Sequence, residues 1–384
     1  MIVRSGTSAE IVEGLKHIWG RTDLIPFWVA DMDFATAPFV TDAIRKRCEN
    51  EVLGYTGKPD SYYNAIINWV KQRYDLIVTK EVINFVPGIV PGIGMAMNCF
   101  TQKGDKVMIQ PPVYHPFAWV TTRNERTLVI NPLKWENGMY RMDLDAFREQ
   151  IKGCKLFILC NPHNPGGVVW TEAELRAIAD ICYDEKVLVF SDEIHADLTL
   201  PPHTHRPIAS VSEMARMNSV TFMSPSKAFN MPGLSASHAL IFNEDLRKRF
   251  RIYMDAGELD MGHVFAFLSV EAAYSHGTEW LDQCLAYIQG NIDFVDEFLK
   301  KHAPKIKAIR PEASYLVWLD CRELELSQKD LNEFFVDKAH LALNDGEMFG
   351  KEGIGFMRLN VASPRCIIEK AMKQLADAYQ LYIK

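Results

Sequence analysis

No stretch of this chain is apolar for the roughly 18 to 20 residues that a membrane-spanning helix needs. The opening MIVRSGTSAEIVEGLKHIWG also lacks the continuous apolar run of a secretion signal. Its eight cysteines include no C-x-x-C pair, and several sit in apolar stretches such as KLFILC. They read as buried free thiols in a reducing compartment. There is no basic run either: 42 lysines and arginines stand against 49 acidic residues, for a net charge of -7. That balance argues against nucleic acid or an anionic membrane surface as the main partner. Neither internal repeats nor low-complexity linkers interrupt the chain. A cytoplasmic protein acting on a small molecule is expected.

What is present is a large apolar interior. With 384 residues, 48% of them hydrophobic, the chain supports one big domain and a smaller one. From about residue 80 to 245, short runs rich in β-branched residues (INFV, KVMIQ, TLVIN, KLFILC, VLVFSD, SVTFMS, SHALIF) alternate with helical patterns over 91–100, 116–123, 144–151 and 171–185. Strands separated by helices require crossover connections, which predicts an α/β domain built on a mostly parallel seven-stranded sheet. A long helical region over 264–301 follows. IKAIR, SYLVWLD and GFMRLNVA then read as strands, with helices near 328–338 and 364–382, which predicts a smaller α+β domain. The expected division is 1–45 as an N-terminal segment contributing to the small domain, 46–285 as the large domain and 286–384 as the small one.

Six segments carry residues suited to chemistry. In SPSKAFNMPG, Lys227 follows a strand between small hydroxyl residues, which suits a buried amine, although a solvated surface lysine is the alternative. VLVFSDEIHADL ends a strand on Asp192 with His195 three residues on. Carboxylates at the carboxyl ends of parallel strands face the crevice where ligands bind, and such a group could hold a pyridine nitrogen protonated. A helix cap or a metal-ligand pair would use the same residues. NPHNPGG is a rigid turn whose Asn164 amide could donate to a phenolic oxygen. PGIVPGIG is a glycine-rich strand-to-helix junction suited to phosphate, though neither a G-x-G-x-x-G nor a Walker A pattern. PPVYHPF places Tyr114 after a strand, where it either stacks on a flat heterocycle or packs under a loop. In GFMRLNVASP, Arg358 is flanked by apolar residues, and its planar fork suits a substrate carboxylate or a buried acid.

In this order the six segments resemble the fold-type I pyridoxal 5'-phosphate (PLP) enzymes, the aspartate aminotransferase superfamily, over essentially the whole chain. FWVADMDF, GYTGKPDSYYNAI, PGIVPGI, PPVYHPF, NPHNPGGVVW, SDEIHADL, SKAFNMPGL and FMRLNVASP together resemble its cystathionine β-lyase branch, the MalY/PatB-type C-S lyases. The resemblance implies Lys227 as the Schiff-base lysine and proton carrier, Asp192 on the pyridine nitrogen and Tyr114 stacked on the ring. It implies Asn164 and His195 at the phenolic oxygen, and Gly88, Ile89 and Val90 backbone with Ser224 and Ser226 at the phosphate. Tyr55 would reach that phosphate from a second subunit, making a homodimer part of the site. Arg358, with the Ala30 backbone and Asn164, would bind the α-carboxylate. One position departs: eight residues after the lysine, where many relatives carry an arginine for the phosphate, this chain has Ser235.

The implied reaction is cleavage of L-cystathionine or a related cysteine thioether to a thiol, pyruvate and ammonia, with Lys227 taking the Cα proton. Two alternatives share these residues: an aminotransferase working on an amino acid and a 2-oxo acid, and a PLP-binding regulatory protein acting through a partner. A metal enzyme would rest on His203 and His205 with His195, but no cysteine or carboxylate stands beside them at ligand spacing, so no metal is expected.

Overall fold

The computed structural model describes residues 2–382. Its centre is a seven-stranded sheet in the order Ile83–Val86, Ser237–Leu240, Ser219–Met223, Leu188–Asp192, Cys154–Cys160, Lys106–Ile109, Thr127–Ile130. Ser237–Leu240 runs antiparallel to both neighbours, and the other four pairings are parallel. The seven segments expected as strands are therefore the seven strands of one mostly parallel sheet. Their side chains alternate between two cores. Leu156, Ile158, Phe190 and Val220 pack on one face with Ile93 and Phe250, while Phe157, Leu159 and Val189 pack on the other with Leu175 and Ile178. Burial on both faces is why these strands read as continuous apolar runs.

The flanking helices begin where local chemistry supplies the missing hydrogen bonds. Glu172–Asp184 starts on a capping box in which the Thr171 hydroxyl accepts from the Glu174 N–H and the Glu174 carboxylate accepts from the Thr171 N–H. Pro116–Arg123 opens on a proline, whose missing N–H costs nothing in a first turn. The helical region expected as one piece is two helices, Val264–His276 and Thr278–His302. Gly277 divides them at a point where a Cβ would collide with the Ala273 carbonyl and the Phe229 ring.

A second, antiparallel sheet has the order Lys307–Ile309, Leu316–Asp320, Phe356–Asn360, Asn344–Asp345. The N-terminal segment joins this part of the molecule: Ile25–Pro26 pairs in parallel with Leu341–Ala342, and the Asn360 side chain donates to the Val29 and Asp31 carbonyls. Arg4 pins the start of the chain to Asp31 and Asp33. Five cysteines are buried and Cys99 is half-buried, but Cys48 and Cys366 are exposed, which corrects the uniformly buried reading. All eight are free thiols. Among the described residues no helix is long and apolar enough to cross a membrane, and no three His, Cys, Asp or Glu side chains gather as a metal site.

Candidate active site

The carboxyl ends of the parallel strands bring the chemically distinctive residues to one cavity of about 210 Å³. In an open α/β sheet this is the end at which ligands bind. Cys160 and Asp192 are register partners on adjacent strands, and Asp192 is in turn opposite Phe222. Three consecutive strands thus deliver the 161–167 turn, the 193–198 turn and the 224–236 loop side by side.

Lys227 stands in the last of these loops. Its Nζ donates to the Ala30 carbonyl at 2.6 Å. Burial, helped by the nearby Arg358 charge, brings the ammonium down to about 8 against the opposing pull of Asp31 and Asp192. At pH 7 about a tenth of this lysine is therefore a free amine, the form that attacks a carbonyl, far more than for a solvated lysine. Asp192 has the opposite problem. It is 4% exposed and accepts one hydrogen bond, from the Ile194 N–H at 3.0 Å. Burial pushes its carboxyl up to about 7. A cation placed against it would return it to the ionised form.

His195 is buried with its Nδ1 lacking a hydrogen-bond partner among the described residues, and burial lowers its imidazole to about 3, so the ring is neutral. Asn164, Tyr114 and Ala30 line the same cavity. Gly88, Ile89 and Val90 close one end as the start of the helix Ile89–Phe100. Gly88 has φ +136, a conformation open to glycine and strained for other residues, and this turn leaves the first helical N–H groups free for an anion. Ser226 and Ser235 are at the walls too.

Arg358 lies in the middle of Phe356–Asn360, buried behind the cavity. Its guanidinium donates to Asn164 Oδ1 at 3.1 Å, to the Trp28 carbonyl at 3.1 Å and to Asn344 Oδ1 at 2.5 Å, and it stacks on Phe349 at 4.9 Å. All of these partners are neutral, and burial draws its pKa down to about 10. With no carboxylate partner among the described residues, this buried guanidinium is suited to receive one from a ligand.

Two expected residues stand elsewhere. The Ser224 hydroxyl donates to the Ala236 carbonyl at 2.7 Å and accepts from the Ser226 N–H at 3.1 Å, so it braces the lysine loop and is not a cavity wall. Tyr55 is 97% exposed and lines a separate groove with Lys58 and Met261. His203 and His205 diverge: His205 is buried against Glu193 at 2.8 Å, and His203 faces Glu312 at 3.7 Å. Cys160, Ile194 and Ser237 are walls that sequence reasoning passed over. Their signal was present, since Cys160 ends the KLFILC run and Ser237 begins SHALIF.

Comparison with known proteins agrees with this geometry. The family of class I and II aminotransferases matches residues 22–375. The cystathionine beta-lyase PatB of Bacillus subtilis (strain 168) is 37% identical over 377 residues, covering 98% of this chain and 97% of its own. Among solved structures, a PLP-bound protein from Clostridium difficile 630, provisionally named an aminotransferase, superposes with a TM-score of 0.97 at 40% identity, covering 99% of this chain and 98% of its own. The PLP-bound C-S lyase of Staphylococcus hominis gives 0.92 at 34% identity, covering 98% and 96%. The chain belongs to the class I and II aminotransferase family.

Proposed function

We propose that this family member is a PLP-dependent carbon–sulfur β-lyase, cleaving L-cystathionine or a related cysteine thioether to a thiol, pyruvate and ammonia. The PLP part of this reading is carried by the meeting at one cavity of a lysine with a depressed pKa, a buried carboxylate with a raised one and, behind them, a guanidinium with no carboxylate partner among the described residues. The lyase part, which these residues share with amino-group transfer, is supported by the 37% identity to the cystathionine beta-lyase PatB and the 34% identity to the PLP-bound C-S lyase. The donor set fits PLP. A helix N-terminus with Ser226 at one end suits a phosphate, Asp192 suits a ring nitrogen, and Lys227 suits the aldehyde.

When bound, PLP supplies a conjugated ring that takes up the electron pair released at the substrate α carbon. The protein's own part is placement and proton transfer. Arg358 exchanges a neutral partner such as Asn164 for the substrate α-carboxylate, which fixes the orientation of Cα. Lys227 Nζ, as a neutral amine, takes the Cα proton. Asp192 would hold the ring nitrogen protonated, and Tyr114 would lie against the ring. Asn164 and His195 address the phenolic oxygen, His195 as the neutral imidazole that its burial imposes. Gly88, Ile89, Val90 and Ser226 would hold the phosphate, with Ser224 bracing the Ser226 backbone behind them. Tyr55, exposed in a single chain, is assigned to the phosphate of a second copy, so the active species is a homodimer. The segment 1–45 belongs with 286–384 in the small domain and 46–285 forms the large one. Free thiols, five of them buried, suit the cytoplasm.

The test is direct. Purified protein reconstituted with PLP is expected to show a visible absorption band that is absent from Lys227→Ala, and to release pyruvate from L-cystathionine without any 2-oxo acid. Turnover only in the presence of a 2-oxo acid would replace the lyase with amino-group transfer.

A further inference from the structure

Next to the cofactor cavity is a second one of about 430 Å³. The two share no lining residue but abut at two places, one of them the Tyr114 and His115 rings, 5.4 Å apart. Tyr114 lines the first and its neighbour His115 the second, and Phe349, a wall of the second, carries the Arg358 guanidinium on its ring at 4.9 Å. A substrate whose α-carboxylate lies on Arg358 is therefore anchored one ring, Phe349, away from this space.

The walls are apolar, from Ile109, Val113, Ala118, Trp119 and Phe349, whereas Glu347, Lys351 and Glu352 stand on one loop at its side. Two acids stand against Lys351, and a substrate carboxylate on Arg358 would cancel the guanidinium charge behind Phe349, so the remaining balance favours a cationic ligand. Glu352 Oε1 and His115 Nδ1 are buried without a hydrogen-bond partner among the described residues. Buried polar atoms are normally paired, and unpaired ones point to a ligand that completes them. Burial and the Arg358 charge lower His115 to about 4, so its ring is neutral and does not repel a cation. The loop is also held in place. The Val113 N–H donates to the Phe349 carbonyl at 2.8 Å, the Tyr140 hydroxyl donates to the Glu352 carbonyl at 3.3 Å, and Gly346 and Gly353 touch so closely that a Cβ on either would strike the other's carbonyl.

We propose that this cavity receives the departing half of the thioether and that Glu352 selects substrates whose departing half carries an ammonium group. The proposal rests on the β-lyase reading for the identity of the departing half. The experiment separates the two ideas by measuring binding and turnover independently. Holoenzyme is titrated with S-(2-aminoethyl)-L-cysteine, S-propyl-L-cysteine and S-carboxymethyl-L-cysteine, which are similar in size and differ in the charge of the distal group. The initial change in cofactor absorbance gives Kd.

The aminoethyl compound is expected to bind about tenfold more tightly than the propyl one, the scale of a charge-assisted hydrogen bond, with the carboxymethyl compound weakest. Glu352→Gln should remove that advantage while the propyl Kd stays within about twofold. Lys351→Glu, at an exposed position, should widen it by about threefold, as expected for one added partly screened charge. Equal binding of the aminoethyl and propyl compounds by the unaltered enzyme would overturn the proposal, as would a uniform weakening of all three by Glu352→Gln. Pyruvate release is read separately. Its absence from every compound would overturn the β-lyase reading, and the binding order would still decide the subsite.

Discussion

Asp192 and Glu193 are neighbours in sequence and both buried, yet they face opposite fates. Glu193 turns away from the cavity and is fully provided for: its carboxylate accepts from the Ser191 hydroxyl, the Ile208 N–H and His205 Nε2, all between 2.8 and 2.9 Å. Four residues on, Asp197 is held the same way by Trp69 Nε1 and the Tyr74 hydroxyl. Asp192 faces the cavity with a single backbone donor. The back of this turn spends its polar groups on each other, while the front keeps them available. Stability and function are divided between the two sides of one strand end.

The sharpest way to break that comparison is to neutralise each acid in turn. Asp192→Asn is expected to lower kcat/KM on the order of a thousandfold, about 4 kcal/mol of barrier, with the melting temperature nearly unchanged. Glu193→Gln should do the reverse, costing about 2 to 4 kcal/mol of stability through disrupted buried hydrogen bonds and leaving folded holoenzyme within about tenfold of full activity. Thermal melts and pyruvate assays on both variants check this, and equal loss of melting temperature in the two would dissolve the distinction.

A smaller effect concerns protons. Because the Lys227 ammonium is lowered to about 8, the neutral amine grows as pH rises. Capture of PLP by apoenzyme should quicken about tenfold per pH unit up to that value and then level off. Asp192 is one of the charges holding the Lys227 value up, so Asp192→Asn should move the midpoint to lower pH. Glu193→Gln should leave it in place. Stopped-flow measurement of the visible band against pH reads both outcomes.

The smallest expected change comes from supplying a partner to the under-provided side. Ser235 is at the cavity wall with φ +47, a conformation this chain already tolerates with a side chain. Ser235→Arg should tighten PLP binding by about three- to tenfold, the worth of one partly exposed charge-assisted contact, measured by equilibrium titration of apoenzyme.

Most of the fold was legible because parallel strands buried on both faces announce themselves as apolar runs, and because Asp192 ends one such run and Lys227 follows another by four residues. The division of 264–301 at Gly277 was not, since the reason is a neighbour, Phe229, that sequence does not place beside it. The bond from the Ser224 hydroxyl to the Ala236 carbonyl was not legible either, since a hydroxyl's direction depends on which carbonyl is closest across the loop. Tyr315, which shares the Ala30 carbonyl with Lys227 at 2.9 Å, left no mark in the pattern either, because a buried tyrosine in SYLVWLD looks like any core aromatic. Spacing along the chain reveals which residues are able to act. Which of them are already occupied by one another depends on folding.

The bracing by Ser224 has a further consequence, for how this chain can vary in length. Met223 and His238 are register partners on adjacent antiparallel strands, and the Ser224 hydroxyl ties the connection shut at its neck. The segment 224–237 is thus a closed loop with no slack, and its far side presents Nζ to a carbonyl nearly two hundred residues away in sequence. One inserted residue would swing the amine off its mark. The hairpin of Lys134–Glu136 and Met139–Arg141, exposed at its Asn137–Gly138 turn, imposes no such limit. Insertions and deletions among related chains should collect at places like that turn and leave the lysine loop constant in length.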